Sequence, residues 1–205
     1  MAAGGTGSAD TASRILDAAE RLVQVRGFNG FSYADVASEL TITKAALHYH
    51  FASKADLGAA LITRYAERFS QALAEVDAAT DAAGTVPAAP AKLAAYARLY
   101  VEVLRSSRMC LCGMLAAEYP TLPEPMQVAV LGFFDDNEKW LQGVLEQGRT
   151  DGSLRFAGSS LDTARMIISS LEGAMLVARP YADVSRLQAA ADRMLAGLIS
   201  TSNTV

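Results

Sequence analysis

Apolar side chains recur along this chain at steps of three and four, the period of a helix and not of a strand. Ile15, Leu16, Ala19, Leu22 and Val23 share one helical face, and Gly27, with Arg26 before it, marks the end of that helix. Thr11 or Ser13 is the expected cap at its start. Beyond a tight connection at Asn29-Gly30, flanked by Phe28 and Phe31, Ser32 caps a short helix over 33–40, and Asp35 is the short acidic partner of a capping box. Thr43 caps a third helix that ends near Tyr49. Ser53 caps a long fourth helix, whose Leu57, Leu61, Tyr65, Phe69, Leu73 and Val76 form an almost unbroken row at steps of four. Residues 80–90 are small, with one Gly and two Pro, and read as a linker.

The second half continues in the same period. A fifth helix over 91–105 is apolar on a wide arc, as a helix buried on more than one side must be. Residues 110–118 read as a sixth. Pro120, Pro123 and Pro125 then separate it from a seventh over 124–148, and 150–159 form a loop. The eighth, 160–178, carries Ala164, Ile167, Ile168, Leu171, Ala174, Met175 and Ala178. Pro180 stops it, and a ninth follows with Leu187, Ala191, Met194 and Leu198. The pattern predicts an all-α fold of nine helices with no internal repeat. The stripes of the last two helices either pack within the chain or exceed what one thin domain hides. In the second case they build a four-helix bundle with a two-fold copy, and the interface falls on Ile168, Leu171, Met175, Leu187, Met194 and Leu198.

Composition agrees with helix. The 205 residues include 39 Ala, and none of the six Pro lies in the first 86 residues. The net charge of −4 argues against coating nucleic acid by bulk charge, though not against a small local footprint. Two Cys make no disulfide framework, and a reducing compartment is the simpler expectation. Residues 1–10 carry no Lys or Arg and read as a disordered arm and not a signal peptide; 201–205 read as a frayed tail. No apolar run is long enough to span a membrane, so the expectation is a cytoplasmic protein without membrane contact.

The sharpest chemistry lies in the first three helices. Two short helices joined by a turn of about three residues have the helix-turn-helix geometry, in which the second helix enters the major groove. From Thr41 to Lys54 there are two lysines and two histidines and no acid. Hydroxyls at Thr41, Thr43, Tyr49 and Ser53 can reach phosphate oxygens, and the methyls of Ala45 and Ala46 suit close approach to thymine. Against this, residues 1–60 hold five basic and six acidic side chains, so binding must rest on a few placed groups and on dimerisation. A plain helical corner with solvated polar residues is the competing reading. His48 and His50 lie about 200° apart around a helix, which disfavours a shared metal.

In order along the chain, Ile15-Leu16-Asp17-Ala18-Ala19, Arg26-Gly27-Phe28, Asp35-Val36-Ala37, Thr43-Lys44-Ala45-Ala46-Leu47-His48-Tyr49-His50-Phe51, and Ser53-Lys54 with Leu57 closely resemble the N-terminal domain of the TetR family of transcriptional repressors. The resemblance covers roughly residues 12–60. It implies a nine-helix homodimer with a helix-turn-helix head (residues 11–57) and a larger ligand-binding and dimerisation domain (residues 58–200). It implies a pseudo-palindromic double-stranded operator, released when a small molecule binds. By position, the family's DNA contacts fall on Tyr33, Thr43, Lys44, Ala45, Ala46, His48, Tyr49, His50 and Lys54. Where many relatives have Tyr, this chain has His48, so an imidazole replaces a phenol there.

The body is less legible. Its aromatic and sulfur side chains either fill an ordinary core or line a ligand pocket, for which Phe69, Tyr96, Tyr100, Cys110, Met114 and Trp140 are the candidates. Cys110-Leu111-Cys112 places two sulfurs on different helical faces, against a disulfide or a shared metal. Residues 110–118 also resemble a TetR branch with Cys-Leu, three residues, then Leu-(Ala/Ser)-Ala-Glu, in which the first cysteine senses electrophiles or oxidants. The inducer is then electrophilic; the alternative is a non-covalent hydrophobic ligand, with Cys110 purely structural. Asp135-Asp136-Asn137-Glu138 reads as a solvated acidic face. No Ser-His-acid, paired-carboxylate or metal-binding constellation supports an enzyme, and neither metal nor cofactor is expected. A module that only dimerises is the third class.

Overall fold

The structure is a computed structural model that describes residues 5–79 and 88–199. Its helices are α1 (Gly5–Arg26), α2 (Tyr33–Leu40), α3 (Lys44–His50), α4 (Lys54–Ala78), α5 (Ala89–Arg105), α6 (Leu111–Ala117), α7 (Glu124–Thr150), α8 (Ser160–Ala178) and α9 (Val184–Ala196). Among the described residues, the β structure is one isolated antiparallel bridge between Leu154 and Ile199. No described helix is long and apolar enough to cross a membrane. The expected linker falls mostly on 80–87, and the expected tail on 201–205; both lie outside the described residues.

Local chemistry sets the helix ends. Asp35 accepts from both the N–H and the hydroxyl of Ser32 at the start of α2, and Thr43 Oγ1 accepts from the Ala46 N–H at the start of α3. Ser53 and Asp56 exchange hydrogen bonds at the start of α4, as do Ser159 and Asp162 at the start of α8. Gly27, with φ of 80°, ends α1, and Thr41 takes the same left-handed conformation after α2. One expectation is corrected: α1 begins at Gly5, so the arm assigned to 1–10 is helical from its fifth residue. No proline interrupts this stretch, and adding turns to a helix already nucleated costs less than starting one.

The described residues form two compact units. Residues up to 67 pack with 110–132, and residues 68–109 pack with 133 onward. The first unit therefore contains α6 and the start of α7 beside α1–α3. Its core is Ile15, Ala18, Ala19 and Val23 of α1, Val36 of α2, Leu47 of α3, Leu57 and Leu61 of α4, and Leu111 and Leu115 of α6. Each such Leu or Ile contributes roughly 1.5–3 kcal/mol by leaving water. The second unit packs α5, α8 and α9 around Leu93, Tyr96, Leu104, Ile167, Leu171 and Leu187.

Candidate nucleic-acid interface and effector residues

Leu47 is fully buried and fixes the rotation of α3. Lys44, Ala45, His48 and Tyr49 then lie on its solvent side, while Ala46 and His50 are half-buried. Tyr49 is 81% exposed and meets the His50 ring edge-on at 5.2 Å. Lys44 joins no ion pair among the described residues. His48 Nδ1 lies 3.1 Å from the Ala52 carbonyl. A carbonyl only accepts, so Nδ1 carries the proton and Nε2 is the ring's remaining polar atom.

Two residues of the expected DNA contact set are engaged inside the protein. The Tyr33 hydroxyl donates to the Phe51 carbonyl at 2.9 Å, and its ring lies 4.8 Å from that of His48. Burial, reinforced by the negative charge of Asp56, pushes the phenol up to about 12. The Lys54 ammonium donates to the carbonyls of Phe28 and Phe31 and lies 4.3 Å from the centre of each of their rings. Two of its three donors thus tie down the α1–α2 connection. Burial holds its pKa below the ordinary lysine value, with Glu118 and Asp35 acting in the other direction.

The opposite side of that connection is held by the last residue of the 110–118 run, to which the sequence assigned no role of its own. The Glu118 carboxylate, just after α6, accepts from the Phe28 N–H at 2.5 Å and from the Asn29 N–H at 3.2 Å. Asn29 Nδ2 donates to Thr121 Oγ1 at 2.8 Å. Some ninety residues separate these partners, and no local pattern announces the contact.

The head's acids are also spoken for. Arg64 pairs with Asp17 at 2.9 Å and Glu20 at 3.2 Å, Arg21 pairs with Glu39, Asp35 engages Ser32, and Asp56 caps α4. Five of the six acids counted in 1–60 are therefore engaged by groups of their own chain.

In the second unit, Phe69 meets the rings of Tyr96, Tyr100 and Phe133 edge-on at 5.9, 6.3 and 5.3 Å, and Trp140 stacks on Tyr96 at 5.7 Å. Tyr96 donates to Asn137 Oδ1 at 3.1 Å, which leaves its oxygen to accept from the Tyr100 hydroxyl at 3.2 Å. Trp140 Nε1 donates to Asp77 at 2.8 Å, and Asp77 also pairs with the buried Lys92 at 2.7 Å. Asn137 is thus a buried anchor and not part of a solvated face, while Asp135 and Asp136 are exposed.

Of the expected ligand residues, Phe69, Tyr96, Tyr100 and Trp140 belong to the second unit, and Cys110 and Met114 to the first. Cys110 caps α6 at 2% exposure, and the Tyr65 hydroxyl donates to its sulfur at 3.7 Å. Met114 is half-buried. The six expected interface residues lie on α8, on α9 and just after it. Ile168, Leu171, Met175, Leu187 and Leu198 are buried within the chain, and Met194 is half-buried. The stripes of α8 and α9 face each other and α5, because each helix spends its strongest apolar face on its nearest neighbours. The apolar side chains of α8 left in solvent are Met166, Leu176 and Val177. A groove of about 420 Å³ between α5 and α9, floored by Ala97, Val101 and Ala191, was not foreseen. No group of three His, Cys, Asp or Glu among the described residues could hold a metal.

Two family models match the chain: "Bacterial regulatory proteins, tetR family" over residues 15–61 and "Tetracyclin repressor-like, C-terminal domain" over residues 89–194. Among curated proteins, the HTH-type transcriptional repressor NemR of Escherichia coli K12 is 27% identical over 179 residues, covering 83% of this chain and 84% of its own. A TetR-family transcriptional regulator from Agrobacterium tumefaciens is similar in structure, with a TM-score of 0.88 at 30% identity, covering 94% of this chain and all of that one. The reduced form of Escherichia coli NemR aligns with a TM-score of 0.79 at 25% identity, over 94% of this chain and all of that one.

Proposed function

The chain belongs to the TetR family of bacterial DNA-binding regulators, and from that premise we propose that it is a cytoplasmic repressor working as a homodimer. Two copies of α3, about one helical turn apart, read a pseudo-palindromic operator. The head over 11–57 binds DNA, and the body over 58–200 dimerises and senses. The observation that carries the reading is the outer face of α3, where Lys44, Ala45, His48 and Tyr49 stand together in solvent with no acid among them. Lys44, Thr43, Tyr49 and His50 supply phosphate contacts, and Ala45, Ala46 and His48 approach base edges. Tyr33 and Lys54 act behind them, holding the ends of α2 and α3 in place.

A mobility-shift titration on the chain's own upstream DNA tests this. Lys44→Ala weakens binding at every sequence. It also lowers the slope of log affinity against log salt by about 0.9 per lost phosphate contact, so by nearly two per dimer. No binding by the wild type at low salt would remove the repressor reading.

For the inducer we favour an electrophile that reacts at Cys110. The Tyr65 hydroxyl is placed to stabilise a thiolate there, and a relative with the same family architecture has a structure described as its reduced form. N-ethylmaleimide, which adds across its double bond to the thiolate, is the probe. It releases wild-type protein from the operator and leaves Cys110→Ser bound. Equal release of both would favour the second reading, a non-covalent hydrophobic ligand. The cluster of Phe69, Tyr96, Tyr100 and Trp140 speaks for that reading, since its buried hydroxyls are the kind of polar group that orients an apolar ligand.

A further inference from the structure

The connection between α1 and α2 is gripped from two sides by opposite charges. Its carbonyls, those of Phe28 and Phe31, receive the Lys54 ammonium from α4. Its amides, those of Phe28 and Asn29, point into the Glu118 carboxylate after α6. Asn29 reaches Thr121 beside Glu118, so the same strand of chain is fastened twice to the segment following α6. The fit leaves no slack: a Cβ added at Gly27 would stand 2.8–3.0 Å from the three carboxyl atoms of Glu118. Both grips lie in the first compact unit. Only seven residues of helix separate Glu118 from Cys110, which caps the other end of α6.

We infer that Glu118 is the positioning residue through which α6 sets the α1–α2 connection, and with it the start of α2 and the seat of α3 on DNA. Helices transmit displacement as nearly rigid rods, while a loop with free amides would absorb it. A carboxylate that accepts two consecutive backbone N–H groups removes that freedom, and a charged acceptor makes both bonds strong. A shift at the Cys110 end of α6 therefore arrives at Phe28 and Asn29 instead of being lost. This inference rests on the reading of Cys110 as the sensing end, so its test is built to run without any inducer.

The test is a double-mutant cycle in the full chain, with operator affinity as the readout. Cys110→Met adds volume at the buried start of α6 and displaces it. With Glu118 present it weakens operator binding ten-fold or more; in the Glu118→Gln background the same change costs less than two-fold. A glutamine keeps the size but offers one acceptor oxygen and turns an amide donor toward the second N–H. Independent, multiplying effects of the two substitutions would overturn the inference, and so would Cys110→Met leaving affinity untouched when Glu118 is present. Amide hydrogen exchange is the second arm, and it does not depend on Cys110→Met folding well. Glu118→Gln speeds exchange at Phe28 and Asn29 at least ten-fold relative to the α3 amides, and unchanged exchange there would also overturn the inference. If maleimide fails to release the wild type, the thiol reading falls while the cycle and the exchange still decide Glu118.

Discussion

Replacing Lys54 by methionine keeps the length and apolar stem of the side chain and removes only its charge and donors. Two carbonyls, of Phe28 and Phe31, lose a charged partner, and two rings 4.3 Å from the ammonium lose a cation. A hydrogen bond to a charged group is worth about 1.5–3 kcal/mol net, and a partly exposed cation–π contact about 0.5–1 kcal/mol. Against these stand up to about 2 kcal/mol of side-chain entropy regained and relief from burying a charge that burial already disfavours. Lys54 is half-buried, so water replaces part of what is lost. The expected loss is about 2–4 kcal/mol, carried by the first unit. Urea unfolding followed by two probes measures it. Far-UV circular dichroism averages over all helices, whereas the single Trp140 lies in the second unit. The dichroism transition should move to lower urea and separate from the tryptophan transition. The opposite result would refute the reasoning: coincident, unshifted transitions with weaker operator binding and a shallower salt slope would make Lys54 a phosphate contact.

Three further outcomes are expected. Gly27→Ala destabilises by about 2–3 kcal/mol in thermal unfolding, because a left-handed φ strains a side chain by about 1–2 kcal/mol and its Cβ meets the Glu118 carboxylate; combined with Glu118→Ala the cost should be less than additive. Tyr33→Phe loses about 1 kcal/mol with the hydrogen bond to Phe51. It also flattens the alkaline limb of stability, since a phenol held at about 12 in the folded protein, against 10.0 for the ordinary group, adds stability below pH 10 that drains away between pH 10 and 12 as the unfolded chain ionises first. A Tyr33→Phe limb as steep as the wild type's would contradict that. Leu176→Asp, on the face of α8 left in solvent, should give monomers in sedimentation at concentrations where the wild type is dimeric, with its folding intact.

What was legible followed from the range of each interaction. Caps and apolar faces act within a turn or two, so Ser32, Thr43 and Ser53 marked their helices, and Leu57 through Leu73 marked α4 correctly. The outward face of α3 followed once Leu47 was placed inside. Partners distant in sequence were not legible. Lys54 was placed among the DNA contacts by its position in the family pattern, and nothing nearby in the sequence reveals that it also meets two carbonyls 23 and 26 residues earlier. Glu118 formed part of a recognisable run, yet its amide partners lie 89 and 90 residues away. The period of the α8 and α9 stripes says that a face is buried, not which neighbour buries it, so it left packing within the chain and against a second copy both open. Side-chain chemistry singled out Cys110 and the aromatic set, and chemistry does not say which unit a helix joins.

The charge balance shows why a net count misleads for a protein of this kind. A head with six acids and five bases would repel a phosphate backbone if those charges were spread evenly. They are not. Asp17 and Glu20 meet Arg64 from α4, a base outside the count, while Glu39 meets Arg21 and Asp35 and Asp56 are turned onto helix starts. Within a Debye length of about 8 Å at physiological salt, such pairs present little net field to DNA. In the proposed contact set Lys44, which joins no ion pair among the described residues, supplies the charge, and the hydroxyls of Thr43 and Tyr49 are further phosphate donors. Affinity built this way is small for one copy. Two copies on a fixed axis double the free energy at little further entropic cost, and small changes in head spacing then have a large effect on binding. A repressor that must release needs that sensitivity, and a strongly basic head, holding DNA by charge at any spacing, would blunt it.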